Sequence, residues 1–159
     1  MSNTREMKPI EIKVEGFIRK SSHEICAEFL RTERWQEFQG YSILPGIKSA
    51  SFETKTPGLV GSRIKVENTD GSSHIEEIVD WDTENRIAMR FQEFASPLQN
   101  LASHFLEEWE FRRSADGTTV LRKMTMYPKG AFGWMMLLPI SGLMKKAFQK
   151  NLTQYDSQL

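Results

Sequence analysis

Three charged residues stand at positions where a predicted β-strand is otherwise apolar. Glu77, Glu107 and Arg122 each have an apolar residue two positions before and two positions after them. Because side chains two residues apart share a face of a strand, this spacing predicts three charges on the apolar, inner face of a sheet. A buried charge without a partner is costly, so each needs an opposite charge, water or a ligand.

Charged groups on such a face can do acid–base chemistry. A carboxylate with a raised pKa serves as general acid or base, and an arginine polarises a carbonyl group. Glu107 and Arg122 are diagonal neighbours in the predicted register, so a purely structural ion pair is the alternative. A one-residue bulge in either strand would instead send these side chains to solvent. Glu93 follows the same alternation but stands near a strand end, where both faces meet solvent.

The remaining reactive side chains give weaker signals. His74 and His104 fall on outward positions of the predicted strands, where we expect them to be solvated, and His23 lies in the exposed first turn of a helix. Cys26 lies on the apolar face of that helix and is expected to be a small core residue. These scattered residues lack metal-ligand spacing, and no phosphate loop or dinucleotide fingerprint occurs, so the sequence predicts neither a metal nor a cofactor.

The register of the strands follows from the turns between them. A turn over residues 114–117 makes Arg113 oppose Thr118. A turn at residues 83–85 reverses the chain between the strands predicted at 73–82 and 86–94, and a turn at residues 70–71 reverses it between those at 62–68 and 73–82. Apolar residues then coincide on one face, which is what a correct register should give. The predicted pairs are Phe111 with Val120, Trp109 with Arg122, Glu107 with Met124, Phe105 with Met126, Trp81 with Ile87, Val79 with Met89, Glu77 with Phe91, Val66 with Ile75, and Ile64 with Glu77.

Seven strand-like segments and three helical ones must position these side chains. The strands are predicted at residues 10–18, 47–54, 62–68, 73–82, 86–94, 103–113 and 118–127. Ser21 and Glu24 form a capping-box pattern that begins a helix, and a short helix follows over residues 33–38. Gly16 is a candidate bulge or close-approach point in the first strand. Residues 130–159 read as a long helix, apolar on nearly all sides up to Ile140, which Pro139 is predicted to bend.

Length and composition limit the class of protein. The 159 residues favour one domain, 1–159, and 39% hydrophobic residues suffice for a core. Lys plus Arg equals Asp plus Glu, which argues against a nucleic-acid partner. The single cysteine favours a reducing compartment, and the longest apolar stretch, residues 132–140, is too short to span a bilayer. A cytoplasmic protein without a transmembrane segment is predicted, and a homodimer remains open.

The order of elements resembles the START-like helix-grip superfamily (SRPBCC), and within it the polyketide cyclase/dehydrase and lipid-transport group. The local likeness lies in the segment from Trp35 to Phe38 and in Trp109-Glu110-Phe111 leading into the hairpin Asp116-Gly117-Thr118-Thr119-Val120. The resemblance extends from Ile10 to about Tyr155. It implies an α+β fold in which a curved antiparallel sheet of about seven strands wraps around the C-terminal helix, with a ligand pocket between them.

The predicted register and the resemblance together predict which residues line the pocket. The expected ligand-binding residues are Glu77, Met89, Phe91, Glu107, Trp109, Arg122, Met124, Met135, Leu138 and Met144. Met126 and Met136 are expected beside the same cavity, because methionine suits pockets that adapt to varied ligands. The alternative is a core in which these methionines fill the gaps and leave no cavity.

Three functions remain open, because the superfamily includes carriers, cyclases, receptors and chaperone activators. We favour binding of a hydrophobic small molecule such as a lipid, quinone or polyketide. The second is a cyclase or dehydratase with Glu77 or Glu107 as base and Arg122 as electrophilic partner. The third is docking of residues 133–140 on a membrane or a partner protein.

Overall fold

The computed structural model describes residues 7–157 of the 159, with side chains described for residues 7–155. The elements are, in chain order, β1 (Ile10–Ile18), α1 (Ser22–Phe29), a 3₁₀ helix (Thr32–Glu37), β2 (Ile47–Thr54), β3 (Arg63–Asn68), β4 (Ser73–Asp82), β5 (Arg86–Gln92), a second 3₁₀ helix (Leu98–Asn100), β6 (Ala102–Ser114), β7 (Gly117–Pro128) and α2 (Gly130–Ser157).

Among the described residues, one antiparallel sheet contains seven strands in the order β1-β7-β6-β5-β4-β3-β2. Burial alternates along β1 and β6, so each of these strands turns one face to the core. Helix α2 packs against β1 and β7, at one side of the sheet. This is the predicted α+β helix-grip architecture.

The first helical segment begins as its sequence predicts. The Ser21 hydroxyl accepts a hydrogen bond from the Glu24 backbone N–H, and the Glu24 carboxylate accepts one from the Ser21 backbone N–H. Trp35 in the following 3₁₀ helix donates from Nε1 to the Phe29 carbonyl at 2.8 Å. The Trp35 ring meets the Phe29 ring edge-on at 5.0 Å. These contacts hold the segment against the end of α1.

The register of β6 with β7 is the predicted one. Phe111 opposes Val120, Trp109 opposes Arg122 and Glu107 opposes Met124. No register shift interrupts this hairpin between His104 and Ser114. Glu107 and Arg122 therefore lie on the inner face, as the alternation of apolar residues indicated.

The register of β4 was predicted wrongly in its first half. Trp81 opposes Ile87 as expected, but the pairing shifts between Ile78 and Asp80, leaving Val79 as an extra residue. A bulge of this kind reverses the faces of the residues before it. Consequently Glu76, not Glu77, opposes both Ile64 and Phe91.

Because of the same bulge, the residues next to Glu76 also pair differently from the prediction. Val66 opposes His74 instead of Ile75, and Glu77 opposes Arg90. His74 thus points to the inner side of the sheet, although the sequence predicted it to be solvated on the outer side. Glu77 points to the outer side. The apolar residues Ile75, Ile78 and Val79 occupy both phases of the alternation, so the sequence pattern supports either register.

Helix α2 is continuous from Gly130 to Ser157 and does not end at Pro139. Two glycines permit close packing around it. A Cβ on Gly133 would lie 2.3 Å from the Leu101 carbonyl oxygen, and one on Gly16 would lie 3.4 Å from Leu152. The register of β1 with β7 is unbroken at Gly16, so this residue is a close-approach point and not a bulge.

Candidate functional site

A cavity of about 710 Å³ lies between the sheet and α2. Helix α2 covers β1 and β7, where core side chains fill the interface, and leaves space beside β4, β5 and β6. Aromatic and aliphatic side chains from these strands, α1, the first 3₁₀ helix and α2 line this space. They include Phe29, Trp35, Phe38, Phe91, Phe94, Phe105, Trp109, Ile140, Leu143, Met144 and Phe148.

Glu107 and Arg122 form a buried ion pair in the cavity wall. The residues are 2% and 6% exposed. Arg122 Nε donates to Glu107 Oε1 at 2.6 Å, and Trp109 Nε1 donates to the same oxygen at 2.8 Å. Arg122 Nη1 donates to Asn151 Oδ1 on α2 at 2.8 Å. The pair thus joins β6, β7 and α2 through one hydrogen-bond network.

Two aromatic rings hold the Arg122 guanidinium in place. Its central carbon lies 3.6 Å from the Phe148 ring centroid and 4.7 Å from the Trp109 ring centroid. Attraction between a cation and an aromatic face adds to the ion pair where water is excluded. A guanidinium carries five N–H donors, of which the bonds to Glu107 and Asn151 use two. The remaining donors suit an oxygen atom of a bound molecule.

A second polar group in the cavity wall consists of His74 and Glu76. His74 was predicted on the outer face of its strand, and Glu76 was not among the predicted site residues. His74 Nε2 lies 3.1 Å from Glu76 Oε1, and the His74 ring stacks on Phe91 at 5.2 Å. Burial raises the pKa of the Glu76 carboxyl, although the hydrogen bond from His74 acts in the opposite direction. A protonated or readily protonated carboxyl next to an imidazole can donate or accept a proton.

Tyr155 on α2 also lines the cavity, although it was not among the predicted ligand-binding residues. Its ring meets Trp109 edge-on at 5.6 Å. Burial raises the pKa of Tyr155 to about 12, so the hydroxyl stays protonated and can donate a hydrogen bond. Its position on the same face of α2 as Phe148 and Leu152 was the available signal.

Half of the predicted lining residues do line the cavity. These are Phe91, Glu107, Trp109, Arg122 and Met144. The other predictions, Glu77, Met89, Met124, Met135 and Leu138, are wrong in their placement.

The reason differs from residue to residue. Glu77 lies on the other face, 3.9 Å from Arg90, because of the bulge at Val79. Met89 and Met124 are fully buried in the packed core, as is Met126. Met135 and Leu138 are exposed on the outer side of α2, as is Met136.

The other reactive residues stand away from the cavity or are inert. Glu93 is exposed and pairs with Arg63, and its positive φ of 54° ends β5 before it. His104 is half-buried and stacked on Tyr127, not solvated, and burial lowers its pKa. Cys26 is buried, as predicted, and burial raises the pKa of its thiol to about 12. In the part of the chain that the structure describes, no three His, Cys, Asp or Glu side chains are placed to hold a metal ion.

Known structures share this architecture at low sequence identity. A START superfamily protein from Mycobacterium smegmatis is 12% identical and matches with a TM-score of 0.70, over 93% of this chain and 97% of its own. The di-domain ARO/CYC BexL from the BE-7585A biosynthetic pathway is 16% identical, with a TM-score of 0.66, over 94% of this chain and 49% of that chain. Ara h 8.0201 is 13% identical, with a TM-score of 0.62, over 92% and 99%.

The sheet, the helix and these likenesses define a START-like helix-grip protein. The sequence model of the family described as "Polyketide cyclase / dehydrase and lipid transport" matches residues 27–158. The chain therefore belongs to this family, which confirms the resemblance seen in the sequence. No curated protein sequence matches the chain. Within residues 7–157, no helix has both the length and the apolar character needed to cross a bilayer.

Proposed function

We propose that this protein is a single-domain binder or carrier of a hydrophobic or aromatic small molecule, of the lipid, quinone or polyketide kind. The observation that carries the proposal is the apolar cavity of about 710 Å³ with a buried arginine in its wall. Pockets for small molecules have volumes of roughly 300–1,000 Å³, mostly apolar walls and a few placed polar groups. The family description, which names lipid transport, supports the same class of ligand.

Arg122 would orient the ligand within the cavity. Its partners Glu107 and Asn151 fix the guanidinium, so little side-chain entropy is lost when a ligand oxygen binds. A carbonyl, phenolate or carboxylate oxygen on an otherwise apolar molecule fits these donors. The rings of Trp109, Phe148 and Tyr155 would pack against its apolar body.

Titration with anilinonaphthalene sulfonate, an aromatic anion, tests this proposal. We expect saturable binding that changes the emission of Trp35 and Trp109, since both line the cavity. The double variant Arg122→Met with Glu107→Leu removes both charges and should weaken binding about tenfold or more. Arg112→Met, on the exposed outer face of β6, is the matched control and should bind as the wild type does. Non-saturable binding, or equal affinity in all three proteins, would contradict the proposal.

A second candidate function is favoured by the pair His74 and Glu76. We propose as the alternative a cyclase or dehydratase in which Glu76, its pKa raised by burial, exchanges a proton with an enolisable ligand. Glu76 takes the role of base that was predicted for Glu77, and Arg122, held in place by Glu107, would polarise a carbonyl. The name ARO/CYC of the structural neighbour BexL supports this alternative.

Turnover of a synthetic polyketone separates the two functions. In an enzyme, Glu76→Gln should abolish turnover without weakening binding of the probe, whereas Glu77→Gln should change neither. If Glu107→Gln alone abolishes turnover, the base is Glu107. Absence of turnover in the wild type leaves the carrier function as the better account.

The one cysteine is free and buried, and a reducing compartment suits such a chain. We therefore propose a cytoplasmic location. Fractionation of the host cells, with detection of the native protein by antibody, tests it.

A further inference from the structure

The first half of α2 exposes large apolar side chains. Phe132 is 64% exposed, Met135 56%, Met136 40% and Leu138 41%. The buried positions of the same turns are Gly133 and Leu137. A contiguous apolar surface of this kind on a folded protein marks a binding surface.

The same side of the helix becomes basic in its second half. Lys145, Lys146 and Lys150 are exposed there, and residues 130–155 contain no Asp or Glu. The Lys146 ammonium lies 5.4 Å from the Tyr41 ring, which brings the segment around Tyr41 beside α2. Ile43 in that segment is 85% exposed. We call the exposed side chains of Ile43, Phe132, Met135, Met136, Lys145 and Lys146 the docking surface.

The docking surface adjoins the opening of the cavity. Ile43 lines the cavity although it is almost fully exposed, so the cavity reaches the surface at this residue. Leu143 and Met144, which precede Lys145, line the same cavity. Two exposed carboxylates line the cavity: Glu37 is paired with Arg34 at 3.2 Å, and Asp70 accepts hydrogen bonds from Ser72. On its α2 side, the rim combines apolar side chains with the positive charges of Lys145 and Lys146.

We propose that the docking surface binds an anionic lipid bilayer, with Phe132 and Met135 entering the interface and the lysines facing lipid headgroups. Apolar side chains beside lysines on one helix are what interfacial binding requires. Residues 2–6 are polar and do not suit an apolar surface. Residues 130–155 of a second copy would bring no carboxylate to pair with the lysines. This proposal does not depend on the identity of the cavity's ligand.

Flotation with vesicles tests the proposal on the full chain. We expect the protein to float with vesicles of phosphatidylcholine and phosphatidylserine, less so with phosphatidylcholine alone or at high salt. Lys145→Glu with Lys146→Glu should lower the partition coefficient about tenfold or more. Phe132→Ser with Met135→Ser should lower it on both kinds of vesicle.

Val60→Ser, at another exposed apolar residue, is the matched control and should float as the wild type does. A wild-type protein that stays in the aqueous fraction overturns the proposal. So does a wild-type dimer that Phe132→Ser with Met135→Ser dissociates, because the surface would then belong to a second copy. Equal loss in Val60→Ser would also overturn it, since the effect would not be specific to α2.

Discussion

Arg122 and Glu107 show how one buried charge pair joins the site to the fold. Removing two charges from water is costly, and the 2.6 Å contact, the Trp109 and Asn151 hydrogen bonds and the Phe148 ring offset that cost. Such a pair is not needed for stability alone, because apolar residues often replace buried ion pairs without loss. Its position in the cavity wall fits the ligand-orienting role proposed for Arg122.

Breaking the pair on one side should destabilise the protein more than removing it. Glu107→Leu and Arg122→Met should each lower the free energy of unfolding by about 3–5 kcal/mol, because each leaves a buried charge unpaired. The double variant should cost less than the sum by at least about 2 kcal/mol. Urea denaturation of the four proteins measures this coupling. Additive losses would show that the two charges do not interact.

Glu76 should make stability depend on pH. A raised pKa means that the native protein holds the proton more tightly than the unfolded chain does. The contribution of this group to the free energy of unfolding therefore falls as the pH rises above the ordinary glutamate value of 4.5. Glu76→Gln removes this effect, so its stability relative to the wild type should improve as the pH rises from that value to neutrality.

Denaturant unfolding at a series of pH values checks this prediction. His74, Glu107 and Arg122 also act on the Glu76 carboxyl, so the variant must be compared with a neighbour that lacks these contacts. Glu77→Gln is that control, because Glu77 lies on the opposite face beside Arg90. A pH-independent difference between Glu76→Gln and the wild type would refute a raised pKa.

At the scale of elements, glycine positions decide how closely α2 approaches its neighbours. The backbone at Leu101 lies where a side chain on Gly133 would project, and Leu152 packs over Gly16. Backbone cannot move aside as a flexible side chain can. The first turns of α2 are therefore held against the segment that precedes β6, and this contact fixes which residues of the helix remain exposed.

Substitution of two glycines in α2 should have opposite effects. Gly133→Ala should lower the free energy of unfolding by about 1–3 kcal/mol, because the added Cβ meets the Leu101 carbonyl oxygen. Gly142→Ala meets no atom within 4 Å and should raise it by up to about 1 kcal/mol. Thermal denaturation followed by circular dichroism measures both. Stabilisation by Gly133→Ala would show that this close approach does not exist.

At the scale of the whole molecule, the cavity exists because α2 covers only one side of the sheet. Packing against β1 and β7 fills that part of the interface, and the cavity opens over β4, β5 and β6. Burial of a ligand there should stabilise the native state by mass action. At a ligand concentration a hundred times the dissociation constant, the expected gain is about 2.7 kcal/mol.

Filling the cavity should remove this gain. Leu143→Trp places a larger ring in the cavity and should leave the protein folded but no longer stabilised by anilinonaphthalene sulfonate. Leu121→Trp, on the outer face of β7 next to the inward Arg122, is the matched control and should keep the full gain. Differential scanning fluorimetry at several probe concentrations compares them. A full gain in Leu143→Trp would place the probe elsewhere.

The order of elements, the capping box at Ser21 and the β6–β7 register were predictable from the sequence. These depend on local signals: alternation over a long hairpin, a tight turn and a capping residue. The inner placement of Glu107 and Arg122 followed from the same register, so this part of the candidate site was predictable.

The tertiary structure was needed to show that His74, Glu76 and Tyr155 line the cavity, and that Glu77, Met89, Met124, Met135 and Leu138 do not. The bulge at Val79 exchanged Glu77 for Glu76 and brought His74 inside, and the apolar residues of β4 fit both registers. Met89 and Met124 are buried in the packed core, and the orientation of α2 on the sheet leaves Met135 exposed. A helix that is apolar on nearly all sides can pack in several orientations, and contacts distant in sequence, such as Gly133 with Leu101, select one.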